Sequence, residues 1–214
     1  MTDDATPPPP AVSWAPLTAR ERRVVGVMAE KAKTTPEYYP MTIAAVVTGC
    51  NQKSNRDPVV DFDADGVEDT LHALRKKGAA ILVEAGGRVQ RWKHTLYDWL
   101  KVGKVELSII TELLLRGPQT EGDLRARASR MDKDALAELS ALQTHLEALA
   151  DRNLVVYLSP RGQKRGVIVT HGLYPPDELE KVRQAYANAA TIDDEPAPRS
   201  ASARSESSPG WRDE

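Results

Sequence analysis

The apolar positions fall into helical and alternating runs that follow a fixed order. Val24, Val25, Met28 and Ala32 recur at helical spacing. Thr18 and Glu21 stand just ahead of them as a capping box, the hydroxyl and the carboxylate each answering an orphan amide. A second helix is predicted from about Thr42, with Ile43, Val46, Val47 and Cys50 on one face. A third begins near Asp63. Phe62 and Val67 take the hydrophobic-staple positions, Leu71 and Leu74 continue the stripe, and Gly78 ends it. The period then shortens. "AAILVEA" and "RVQRWKHTL", separated by Gly86-Gly87, read as a β-hairpin.

From about Val105 the order returns. "VELSIITELLLRG" predicts a helix stopped by Gly117-Pro118, and Thr120 caps a short second helix. A third carries Leu136, Leu139, Leu142, Leu146 and Leu149, and its acidic start is placed at Asp132, Asp134 and Glu138. "LVVYLSP" and "KRGVIVTH" form a second hairpin. "TLHALRKKGAAILV" (70–83) lies over "HLEALADRNLVVYL" (145–158), a shift of 75 residues, and His94 and His171 end their hairpins in similar places. Helix, helix, helix, hairpin is the order of the winged-helix form of the helix-turn-helix. The expected fold is therefore mainly α with small β-hairpins (α+β), as two tandem winged-helix domains over 16–100 and 101–175. "PPDELEKVRQAYANAAT" adds a closing helix over 176–191, with Leu179, Val182 and Tyr186 as its apolar positions. The Pro-rich arm 1–15 and the Pro- and Ser-rich tail 192–214 are expected to be disordered, with Trp211 a solvated tail residue.

Composition narrows the function classes. Hydrophobic residues make up 41% of the 214 and charged residues 28%, values ordinary for a globular protein. A single cysteine leaves no disulfide framework and no paired-cysteine metal site. The acidic, Pro-rich start lacks the features of a secretory signal, and no apolar run approaches the roughly 18 residues of a membrane span. A cytoplasmic protein without a membrane partner is expected. The net charge of −2 hides a split: 16–100 and 101–175 each carry +2, while the two ends are acidic. That balance permits nucleic-acid binding without demanding it.

Catalysis is not expected. Cys50 falls on the apolar face of its helix, and none of the four histidines stands in a motif relation to it. Asp61, Asp63, Asp65 and Gly66 open like a calcium loop, but the twelfth position holds His72 where a bidentate Glu is needed. Helix capping explains the same acids. The sequence predicts no catalytic residue, no metal site and no cofactor.

One stretch is family-specific. "EKAKTTPEYYPMTIAAVVTGCNQKSNRDP" (30–58), with the lead-in "LTARERRVVGVMAEK", "ELLLRGPQTEGDLRARASRM" (112–131) and the strand "RVQRWKH", resembles the YceH-like family of uncharacterised bacterial proteins. The likeness covers about residues 16–173. It implies a tandem winged-helix fold and no settled activity.

Two functions fit the residues. The first is DNA binding, dominated by phosphate contacts. Its candidate contacts are Asn51, Gln52, Lys53, Asn55 and Arg56 in the long connector, Arg75 and Lys76 at the end of the first third helix, and Arg88, Arg91 and Lys93 on the first wing. Arg125, Arg127 and Arg130 on the second short helix, and Lys164 and Arg165 on the second wing, complete the set. The connector amides can read adenine edges or bond their own backbone. Arg91 and Lys93 alternate with Trp92 and His94, as either a contact strand or a solvated face over a core Trp. The second function is a protein-interaction or homodimerisation module. The acidic starts of the third helices favour it, because carboxylates there repel phosphate.

Overall fold

A computed structural model describes residues 14–83, 89–159 and 166–192. It is mainly helical with small antiparallel sheets. The elements are α1 (Ala19–Thr34), α2 (Ile43–Cys50), α3 (Ala64–Lys76), β1 (Ala80–Val83), β2 (Arg91–His94), α4 (Leu96–Leu100) and α5 (Lys104–Arg116), followed by β3 (Gln119–Thr120), α6 (Glu121–Ala128), α7 (Leu139–Asp151), β4 (Val155–Tyr157), β5 (Ile168–His171) and α8 (Pro176–Ile192). Residues 1–13 of the expected arm, 193–214 of the tail with Trp211, the Gly86-Gly87 turn, Arg88, Lys164 and Arg165 lie outside the described residues. Trp14, expected in the disordered arm, is instead buried in the core.

Local chemistry sets the helix starts. The Thr18 capping box forms at α1, and Thr42, Asp63 and Thr120 accept backbone amides at the starts of α2, α3 and α6. Helix α7 departs from expectation: it begins at Leu139, not at Asp132. Asp132, Asp134 and Leu136 belong to the preceding connector, where Ser129 Oγ and Arg125 bond the carbonyls of Leu136 and Ala137. These side-chain bonds hold the segment in turns and delay the helix.

The two halves repeat in hydrogen-bonding detail. Ala80 pairs with His94 and Val155 with His171. Two residues before each hairpin the chain sits at positive φ, at Gly78 in one half and Asn153 in the other. This is the left-handed ending that stops a helix and turns the chain into a strand. A short strand edge ahead of the second helix also joins each hairpin: Met41 bridges Trp92, and β3 pairs with β5. One equivalence differs in chemistry. Thr95 and Gly172 donate their amides to Ala79 and Leu154. A Cβ on Gly172 would lie 1.8 Å from the Asn153 carbonyl oxygen.

Helices α1 and α5 form the centre. Residues Glu21–Glu30 and Leu107–Leu115 are buried on every side, so both helices are wrapped by the rest. They approach closely at Gly26, where a Cβ would meet Leu115 Cδ2 at 3.1 Å and Leu114 Cβ at 3.2 Å. The buried side chains of both halves make one continuous core. The entry to α1 is fastened to the segment leading into α8: Leu17 donates to the Leu173 carbonyl, and Arg22 pairs with Glu178 and lies over the Tyr174 ring.

Candidate nucleic-acid interface

The α2–α3 connector, residues 51–63, bonds mainly to its own fold. Asn51 accepts the Phe62 amide at 2.8 Å and donates to the Phe62 carbonyl at 2.9 Å and to Asp61. Gln52 accepts from Arg56 at 2.9 Å, and Asn55 accepts from Arg116 at 2.7 Å. The Asp57 amide donates to the Leu115 carbonyl of α5. Lys53 points outward, exposed and without an ion pair or hydrogen bond among the described residues.

Arg56, expected as an outward contact, is instead buried at 4% exposure. Its guanidinium donates to both Glu30 oxygens, to the Gly49 and Asn55 carbonyls and to Gln52. Glu30 also takes Arg130, which reaches Glu112 at 2.9 Å, and Glu112 pairs with Arg116 at 2.8 Å. Arg116 returns to Asn55, closing a ring between the connector, α1, α5 and the end of α6. Burial pushes the Glu30 carboxyl up, but Arg56 and Arg130 outweigh it and hold it below its ordinary range. Arg130 is shifted up because Glu30 and Glu112 overcome its own burial. Arg23 donates to the Cys50 and Pro58 carbonyls and fixes the connector's other flank. Spacing does not mark Glu30, Glu112, Arg23 or Arg116 as a set. One signal was available: Glu112 is the only charge between Ile109 and Leu115, and a carboxylate inside an apolar helix needs a cationic partner.

Arg75 and Lys76 are exposed at the end of α3 and have no partners among the described residues. Lys93 is exposed on β2, whereas Arg91 is half-buried and donates to the Pro40 carbonyl at 2.8 Å. Trp92 and His94 face inward, so this strand is a solvated face over a core Trp. Arg125 bonds the Ala137 carbonyl, and Arg127 bonds Gln119 and lies 3.9 Å from Asp123. Arg130 belongs to the ionic ring. Lys53, Arg75, Lys76 and Lys93 are therefore the candidate cations left uncommitted among the described residues.

Cys50 is fully buried, and burial pushes its thiol up to about 12. That is the opposite of an activated thiolate. Asp63 caps α3 through Gly66, and Asp61 takes Asn51. No group of three or more His, Cys, Asp or Glu side chains converges among the described residues. No helix among them is long and apolar enough to cross a membrane.

The profile of a family described as "Protein of unknown function, DUF480" matches residues 17–164. The chain belongs to the DUF480 family. A UPF0502 protein of Rhodopirellula baltica is 45% identical to this DUF480 chain over 179 residues, covering 82% of the chain and 74% of the relative. One from Citrifermentans bemidjiense is 42% identical over 184 residues, 85% of each. One from Geobacter sulfurreducens is 48% identical over 132 residues, 62% of the chain and 59% of the relative. These names assign no activity.

Proposed function

We propose that the DUF480 chain is a cytoplasmic, non-enzymatic tandem winged-helix protein that binds duplex DNA, chiefly through its phosphate backbone. The two domains are residues 16–100 and 101–175. One observation carries the proposal: the helix–helix–helix–hairpin unit occurs twice with the same strand register and the same strand edge ahead of the second helix. The resemblance of 30–58 to the YceH-like family supports the same architecture. Lys53, Arg75, Lys76 and Lys93 supply uncommitted charge for phosphate. Arg56, Arg130 and the connector amides serve instead to hold the connector in place.

A second reading has its own support. The first two turns of α3 expose Asp65 and Asp69, with Asp63 at the cap. Tyr38, Val59, Ile81 and Val89 are large apolar side chains left exposed. Both features suit a protein-interaction or homodimer surface.

Fluorescence anisotropy with a labelled random-sequence duplex separates the two. Binding at about 50 mM salt is expected to weaken by orders of magnitude at about 200 mM. Alanine at Lys53, Arg75, Lys76 and Lys93 together should flatten the log–log salt slope by about 0.9 for each phosphate that is no longer neutralised. No binding at the lower salt refutes the DNA reading. A dimer mass by light scattering would then favour the second.

A further inference from the structure

The repeat is not even-handed on its exposed helix faces. In a helix-turn-helix, the N-terminal residues of the recognition helix approach the base edges. In α3 those residues are Asp63, Asp65, Glu68 and Asp69, and Asp61 lies just ahead of them. Entering a groove would set this row of carboxylates against two phosphate backbones. In α7 the corresponding turns expose Ser140, Gln143 and Thr144, all neutral and all able to hydrogen-bond, beside the apolar Leu139. The carboxylates of α7, Glu147 and Asp151, lie in its later turns. Glu138 stands at its cap, with Arg125 fastened to the adjoining Ala137 carbonyl.

We infer that α7, and not α3, reads the bases, its Ser140–Gln143–Thr144 face entering a duplex major groove. This rests on the DNA-binding reading above. The polar contacts of the face support the inference. Gln143 Nε2 donates to Glu121 Oε2 at 2.8 Å, which orients the amide. Its second N–H and its carbonyl oxygen stay free, the pair that an adenine edge takes. Glu121 itself is 8% exposed, so the orienting carboxylate sits behind the face and not in the groove. Thr144 Oγ1 donates back to the Ser140 carbonyl at 3.1 Å. That bond leaves the hydroxyl's acceptor capacity free and a methyl group suited to thymine.

The test selects bound duplexes from a random 20-bp pool with the full chain at about 50 mM salt. Wild type should enrich a sequence motif. On the enriched duplex, Gln143→Ala should lose roughly ten- to hundredfold in affinity while keeping its affinity for the random pool. Asp65→Asn with Asp69→Asn should leave the motif unchanged. Both aspartates are exposed, so the α3 variant should keep a thermal midpoint close to wild type. Gln143→Ala takes a donor from the buried Glu121 and should lower its midpoint by a few degrees, its retained affinity for the random pool showing that it is folded. A motif that survives Gln143→Ala but changes with the α3 variant overturns the inference. So does retained duplex with no enriched motif, which would leave phosphate-dominated binding standing. Failure to retain any duplex removes the DNA-binding reading itself.

Discussion

His94 and His171 occupy equivalent positions and are held neutral in the same way. Each Nδ1 accepts the amide two residues ahead, from Leu96 and Leu173, at 3.2 Å. Burial, with Lys93 and Lys33 adding repulsion, lowers His94 to about 4. Burial, with Arg22 nearby, lowers His171 well below its usual value. The unfolded chain therefore binds these protons more readily than the folded one. Their stabilisation is complete above the ordinary histidine value of about 6.5 and is lost as pH falls below it, for His94 toward about 4. For His94 alone the loss amounts to roughly 3 kcal/mol. Thermal midpoints measured from pH 7.5 to 4.5 should fall steeply for wild type and less steeply for a His94→Asn, His171→Asn variant. Parallel slopes would refute this assignment. Glu30 contributes at lower pH, where its carboxylate protonates. The pairing of the two histidines was legible in the sequence from their places at the hairpin ends. Their neutrality was not, because it depends on burial and on an amide donor that only the folded turn supplies.

At the scale of elements, the connector separates structural from free side chains. Arg56 neutralises a buried carboxylate, and Lys53 is exposed with no ion pair or hydrogen bond among the described residues. Arg56→Ala strips the buried Glu30 of one of its two cations and leaves it with Arg130 alone, so it should cost about 3 kcal/mol. Lys53→Ala, on the surface, should change stability by less than about 0.5 kcal/mol. Urea unfolding of both variants checks this, and equal effects would refute the division. Periodicity and capping residues placed α1, α2 and α3 within a residue or so, because those signals are local. The start of α7 was misplaced because Ser129 and Arg125 hold residues 131–137 in turns, and no local pattern encodes that. Strand β3 and helix α4 were not anticipated either. The strand is two residues long, and the helix is five residues packed through Leu96 and Leu100.

Across the whole molecule, the seam between the halves is a core and an ionic ring, not a linker. Val24, Val25 and Met28 of α1 belong to the same buried cluster as Ile109, Ile110 and Leu113 of α5. Chemical unfolding followed by tryptophan fluorescence and by far-UV circular dichroism should therefore give one coincident transition. Gly26→Leu should shift both signals together by roughly 1–3 kcal/mol through overpacking. Two separated transitions would mean that the halves unfold independently. The sequence repeat disclosed two copies of one unit. It did not disclose that they share a core, since α1 and α5 are buried all round, charged positions such as Glu30 and Glu112 included, and no single apolar stripe names a partner. Gly172 carries this further. The Asn153 carbonyl leaves no room there for any side chain, whereas its counterpart Thr95 donates its hydroxyl to the Gly78 carbonyl at 2.5 Å. The copies have thus ceased to be exchangeable parts. A chimaera grafting the first hairpin into the second half would carry Thr95 into a space that admits only hydrogen.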